Sequence, residues 1–311
     1  MIPFIVGAYA AVSGIDDADA RALLEVVLAS PGVNGLEVSF GGSLMDSAAL
    51  LRADQCLVVT LVRNTVVRIK DDPKFGLASV DSQARGRAVA AALECVREVQ
   101  EINDRAGRGI TAAVEFQSAP SATSGSSVGD LARSLDEIAS WDWDGARLLL
   151  EHCDAGNRPG RVEKGFLSLD EEIAAIDDAN VPFGIAINWG RSAIEGTSVL
   201  TPTIHARQAG DRGLLNGLMF SGVSDSDDAR GGAWADAHLP PSEIDARSGS
   251  LMDATAVRRT LGAIQYPDDL AFVGVKVSCP REEKLAQRIP TILGSIGHIA
   301  GQLEKVAAAL H

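Results

Sequence analysis

The chain has 311 residues, 46% of them hydrophobic and 23% charged, a balance that excludes a disordered or low-complexity polypeptide. Its formal net charge of −14 speaks against nucleic acid and anionic membrane surfaces as partners. Four cysteines (Cys56, Cys95, Cys153 and Cys279) form no C-x-x-C pair, so a metal ribbon is not indicated and a reduced, cytoplasmic compartment is the default.

Ile2 to Val12 is apolar, but the first basic residue is Arg21, so the positive start of a secretory signal is missing. The segment reads instead as a buried first strand from Pro3 to Tyr9. Asp16 or Asp17 then caps a helix that Ser30-Pro31-Gly32 stops. Leu36 to Phe40 is a second strand with Glu37 inside it, and a short helix follows from Asp46 to Asp54. Cys56 to Val62 is a third strand, nearly all apolar, as expected of a parallel strand covered on both faces. Arg63 to Ala78 reads as a long basic connection before a long helix, Ser79 to Ala106.

Thr111 to Gln117 is the fourth strand, and Ser127 with Asp130 starts the helix after it. The fifth strand begins at Ala146 and ends in Glu151-His152-Cys153-Asp154. A loop with Arg158, Arg161 and Lys164 leads to a capping box, Ser168 to Glu171. Phe183 to Asn188 is the sixth strand, running into Trp189-Gly190-Arg191, and a helix lies around Thr203 to Ala209. Leu215 to Ser221 is the seventh strand. Residues 222–251 form a long polar segment with Trp234 and His238, read as a lid. A helix from Asp253 to Ile264, an eighth strand from Leu270 to Val277 and a helical region broken near Pro290 complete the chain.

Eight strands alternating with helices predict a single (β/α)8 barrel over residues 1–311, with a doubly wound open sheet as runner-up. The open sheet lacks its usual support, because neither G-x-G-x-x-G nor a Walker motif is present. No apolar run approaches the roughly 18 residues that span a membrane. Glu115, Glu151, Asn188 and Ser221 recur about every 35 residues, each where an apolar run turns polar, which suits one strand-helix unit per step.

In a barrel those ends share one mouth, where the active site lies. Glu37, Glu115, Glu151, His152, Asp154, Asn188, Arg191, Ser221 and Lys276 are therefore the candidate residues. A carboxylate pair such as Glu115 and Glu151 in a desolvated cleft supplies an acid and a base; the plainer reading makes each a structural ion pair. Strand alternation turns His152 away from Glu151, toward the helix layer. Trp189 offers a face for a sugar ring, and Arg191 a fork for carboxylate or phosphate. Cations in the connecting loops hint at an anionic substrate.

Several motifs resemble one family. Gly7-Ala-Tyr9, Phe75 to Ser79, Glu115 to Pro120, Trp141 to Leu148, Glu151 to Asp154, Lys164 to Leu169, Asn188 to Glu195 and Gly217 to Ser224 are similar to the uncharacterised family known as domain of unknown function 4862. That resemblance implies a xylose-isomerase-like TIM barrel and supplies no reaction. The wider superfamily binds a divalent metal through Glu, Asp, His and Glu at the ends of strands five to eight. Matched by strand order, this chain has Glu151, Asn188, Ser221 and Lys276, a set whose summed charge of zero suits a divalent cation poorly.

The expected function is therefore isomerisation, epimerisation or a related lyase step on a small sugar-like molecule, neutral or anionic. Lys276 takes the place of the metal's charge, Glu151 and Glu115 move protons, and Arg191, Trp189, Asn188, His152, Ser221, Glu37, Trp234 and His238 hold the substrate. Another reading is a metal-dependent sugar isomerase or hydrolase that binds Zn, Mn or Co through Glu115, Glu151, His152 and His238. A third is a non-catalytic sugar-binding or regulatory protein. Glycoside hydrolysis is disfavoured, because the seventh strand ends in Ser221 rather than a carboxylate. A homo-oligomer is compatible with all of these.

Overall fold

The structure is a computed structural model describing residues 2–42, 44–155 and 162–309. The first half carries β1 (Phe4–Val6), α1 (Asp17–Ala29), β2 (Gly35–Ser39), α2 (Leu44–Ala48), β3 (Cys56–Thr60), α3 (Val62–Asp71), α4 (Ser82–Ala106), β4 (Thr111–Phe116), α5 (Val128–Ala139) and β5 (Arg147–His152). It continues with α6 (Leu169–Ala179), β6 (Phe183–Asn188), α7 (Trp189–Gly196), α8 (Thr201–Asp211), β7 (Leu215–Phe220), α9 (Ala254–Leu261), β8 (Phe272–Val275) and α10 (Leu285–Ala309). The strands follow one another in sequence order in a closed barrel with helices between them, a TIM barrel. No helix of the described residues is long and apolar enough to cross a membrane.

The chain groups into two compact units, Met1–Glu37 with Ala49–Gln55 and Ile187–His311, and Val38–Ala48 with Cys56–Ala186. In the first unit β1 pairs in parallel with β8, and β7 with β8. Its most buried arginine is Arg288 of α10. The guanidinium donates to five backbone carbonyls, those of Ala11 (2.6 Å), Ser13 (2.9 Å), Glu283 (2.7 Å), Pro280 (3.1 Å) and Arg281 (3.1 Å). One side chain thus fixes the loop after β1 to the loop after β8, with every donor of the fork used.

In the second unit β3, β4 and β5 pair in parallel. The capping box forms as its spacing predicts: Glu171 N donates to Ser168 Oγ, while Glu171 Oε2 accepts from the Ser168 backbone at 2.8 Å. Phe116 packs edge-on against Trp143 with ring centroids 5.5 Å apart, which closes the core behind β4.

Three expectations need correction. The connection after β3 contains a helix, α3, which buries Val62 and Thr65; its β-branched residues and basic surface masked the helical spacing. The sixth strand ends at Asn188 as expected, but a helix not expected there, α7, begins at Trp189 with no intervening residue. Pro290 does not break the C-terminal helix, which runs through it from Leu285. The proline lies in the second turn, where Arg288 braces the helix start. Arg158 and Arg161 lie outside the described residues.

Candidate functional site

Register builds the first group of polar residues. Val6 of β1 pairs with Leu36 of β2 and with Val275 of β8, so the next residue of each strand, Gly7, Glu37 and Lys276, falls in one row. Lys276 Nζ donates to Glu37 Oε1 at 2.7 Å and to Tyr9 Oη at 3.0 Å. It also lies 5.3 Å from the centre of the Tyr9 ring. The Lys276 and Glu37 side chains are both 0% exposed, whereas Tyr9 is only partly buried. Row position explains Gly7: a Cβ there would lie 2.4 Å from Glu37 Oε2 and 2.8 Å from Lys276 Cβ. Only a residue without a side chain leaves room for the ion pair.

A second group sits at the ends of β6 and β7. Asn188 caps α7, its Oδ1 accepting from the Arg191 backbone at 3.4 Å. The Arg191 guanidinium, predicted as a fork for substrate, meets Asp236 Oδ2 through Nε at 3.3 Å. Ser221 Oγ lies 2.6 Å from His238 Nδ1, and Asp236 Oδ1 lies 3.3 Å from the same nitrogen. A serine nucleophile needs its histidine to face serine and aspartate through opposite ring nitrogens, so this arrangement is not such a triad. Asn188 and Trp189 are both 0% exposed, yet neither Asn188 Nδ2 nor Trp189 Nε1 has a hydrogen-bond acceptor among the described residues.

Segment 222–251 has no regular element beyond one short turn, Ala246–Ser248. Backbone pairs nevertheless pin it: Gly222 with Leu239 in both directions, Trp234 N to Ser224 O at 2.7 Å, Ser278 N to His238 O at 2.7 Å and Leu251 N to Val223 O at 2.8 Å. Trp234 and His238 both adopt positive φ, at 52° each, an uncommon conformation for such residues.

In the second unit, Thr60 pairs with Glu115 and Glu115 with Leu149, so Glu151, two residues further along β5, shares their face. Glu151 Oε2 accepts from Thr60 Oγ1 at 3.2 Å and from Gln117 Nε2 at 3.1 Å. Glu115 and Glu151 each offer a carboxylate oxygen within 4.8 Å of the other, and both are buried. The expected carboxylate pair is therefore assembled by strand register alone.

His152 faces the helices. Its Nδ1 lies 2.8 Å from Glu172 Oε2 of α6, and Glu172 Oε1 accepts from Ser118 Oγ at 2.5 Å. Asp154 ties down its own loop by accepting from the backbones of Glu163 (2.8 Å) and Lys164 (3.0 Å). Cys153 packs with Ala119 and Phe166 in an apolar cluster, an inert setting for a thiol.

The metal positions of the superfamily do not fit a divalent ion here, because at the end of β8 stands an ammonium already engaged by Glu37. For the rebuilt set, Glu115 and Glu151 offer oxygens that could share a cation, while Nδ1 of His152 and Nδ1 of His238 are engaged by Glu172 and Ser221.

Tyr9, Glu172 and Asp236 were not among the predicted residues. Tyr9 had a visible signal, closing the expected first strand within Gly7-Ala-Tyr9. Glu172 had one too, as an acid among Leu169, Ile173 and Ile176 on the apolar face of its helix. Asp236, inside a polar segment with several other acids, had none.

Comparison with known proteins agrees with the fold. An uncharacterised protein of Salmonella typhimurium strain LT2 is 37% identical over 224 residues, which is 71% of this chain and 69% of that protein. A xylose isomerase domain containing protein from the same species superposes with a TM-score of 0.59 at 13% identity, covering 97% of each chain. The crystal structure of D-psicose 3-epimerase in the presence of D-fructose gives 0.53 at 13% identity, covering 99% of this chain and 98% of that one. Residues 5–291 match the family described as domain of unknown function DUF4862, and the chain belongs to that family.

Proposed function

We propose that the protein is a sugar-processing enzyme that transfers a proton beside a carbonyl group, in an isomerisation, epimerisation or related lyase step. The observation that carries this reading is the buried Lys276–Glu37 pair with Tyr9 on its accessible side. Because Lys276 donates to the phenol oxygen, the phenol keeps its own proton as a donor. As a substrate oxygen gains negative charge in the transition state, Tyr9 donates to it and Lys276 supplies the positive field behind. Lys276 is thus assigned a role one atom removed from the substrate.

Glu151 is assigned the proton at carbon, with Glu115 as its partner. Two neutral donors, Thr60 and Gln117, reach one oxygen of the Glu151 carboxylate and orient it. Asn188, Trp189, Arg191, Ser221 and His238 are assigned to substrate holding, and segment 222–251, with Trp234, to closure. Similarity to an epimerase crystallised with D-fructose supports a sugar-like ligand.

The test is a product screen by NMR with neutral aldoses and ketoses, their phosphates and their acids. Interconversion by the wild type that is lost in Tyr9→Phe and Glu151→Gln is the expected result. Unchanged turnover in either variant overturns the assignment.

A second reading is favoured by the closeness of the Glu115 and Glu151 carboxylates, which could bind Zn, Mn or Co. Stoichiometric metal in purified protein, lost in Glu151→Gln, supports it; metal content that does not change in that variant removes it.

A further inference from the structure

We infer that the start of α7 is a subsite for uncharged oxygen atoms, and that the ligand there is a neutral polyhydroxy compound rather than a sugar phosphate or sugar acid. This deepens the reading above and rests on it for the identification of the ligand as sugar-like.

The orientation of the Asn188 amide is fixed by its own helix. Its Oδ1 serves as the N-cap, accepting from the Arg191 backbone, so Nδ2 is the end left to donate. The adjacent residue presents another donor, the indole N–H of Trp189. Both side chains are fully buried, and neither N–H has an acceptor among the described residues. A buried donor without an acceptor is costly, so two on consecutive residues point to a ligand that supplies oxygens. Close packing holds them in place: a Cβ on Gly190 would come within 2.4 Å of the Ser221 carbonyl oxygen, so the first turn of α7 rests directly on the end of β7.

Charge decides which oxygens these are. The nearest guanidinium, that of Arg191, is paired with Asp236, and in the same unit Lys276 is paired with Glu37. Each of these two buried cations thus has its own carboxylate, Glu37 fully buried and Asp236 partly so. A phosphate or carboxylate brought to this place would meet neutral donors and a carboxylate-matched arginine, and its desolvation would go uncompensated. Hydroxyl and carbonyl oxygens need only the neutral donors. The loop cations that hint at an anion in the sequence therefore do not define the ligand.

The test uses the intact protein and four probes: xylitol, D-fructose, D-fructose 6-phosphate and D-gluconate. Binding is read as ligand-induced thermal stabilisation and as a change in tryptophan fluorescence. Trp189→Phe keeps an aromatic ring but removes its donor, and Asn188→Asp keeps the N-cap but replaces the donor with a carboxylate. The expected result is stabilisation by a neutral probe, weakened roughly three- to tenfold in each variant, the scale of one hydrogen bond. Stabilisation by the phosphate or the acid above that by the neutral probes overturns the inference. So does the absence of any response to the neutral probes, which leaves ordered water as the partner of the two donors. Equal binding in wild type and variants also overturns it. If Trp189→Phe fails to fold by circular dichroism, Asn188→Asp carries the test alone. Binding is read without turnover, so a failure of the proton-transfer reading shows as neutral-probe binding with no reaction, and a failure of this inference shows as reaction or binding confined to charged probes.

Discussion

Lys276 Nζ lies 2.7 Å from Glu37 Oε1, with both side chains shut off from solvent at the ends of β8 and β2. Such a pair stabilises little by itself, because the desolvation of each charge offsets most of their attraction, but losing one member strands the other. Lys276→Met should therefore destabilise the protein by about 3–5 kcal/mol. Lys276→Met/Glu37→Gln should recover part of that loss, because neither member of the pair is then left behind as an unmatched charge. Chemical denaturation of the wild type and the two variants checks this; equal stability of the single and double variants would sink it.

Gly7 holds the same row open. In Gly7→Ala the new methyl group must displace Glu37 or the stem of Lys276, at a cost of roughly 1–3 kcal/mol for overpacking. The glycine has ordinary negative φ, −78°, so space rather than backbone conformation sets the cost. Gly7→Ala combined with Glu37→Ala should lose less stability than the two single changes added together. Strict additivity would mean that the methyl group meets something else.

Arg288 is predicted to be irreplaceable by lysine. Its fork reaches five carbonyls, and an ammonium has only three donors at one point. Arg288→Met should cost on the order of 4 kcal/mol, and Arg288→Lys should return less than half of it. Hydrogen exchange should locate the loosening in residues 11–13 and 280–283. Wild-type protection of those segments in Arg288→Met contradicts the proposed brace.

Burial pushes the Cys279 thiol up to about 11, with Glu283 adding to the rise. The folded state thus favours the protonated thiol, and this contribution is intact below the unfolded value of about 8.5 and lost as pH rises toward 11. Alkylation of Cys279 in native protein should be slow at neutral pH and should accelerate across that window. Cys95, which burial raises still further, should stay unmodified. Rapid labelling of Cys279 at neutral pH would contradict the buried setting.

Much of this fold is written in alternation. The run from Leu148 to Glu151 is a strand because it is apolar and short, and the capping box at Ser168 and Glu171 marks a helix start by spacing alone. Glu115 and Glu151 were legible as a pair because both end their apolar runs, and register then gives them one face. What alternation could not show was which partner each charge takes. Lys276 was expected to stand in for a metal's charge; its partners Glu37 and Tyr9 come from the row after Val6, a matter of strand pairing between residues far apart in sequence. Arg191 read as a free fork because Asp236, its partner, sits in a polar segment where any acid looks alike. The helix that starts at Trp189 was not legible, because nothing in Asn188-Trp189 says that a helix starts without a linker.

The central claim is that the protein takes a proton from the carbon beside a substrate carbonyl, with Glu151 assigned as the base. Incubation with neutral ketoses and aldoses in D2O, followed by NMR, measures that event directly, whatever the final product. Deuterium should enter beside the carbonyl with the wild type, and its entry should fall by at least about a hundredfold in Glu151→Gln, the lower end of what a general base contributes. Deuterium entry in Glu151→Gln at the wild-type rate, or none with the wild type on any sugar, would contradict the account.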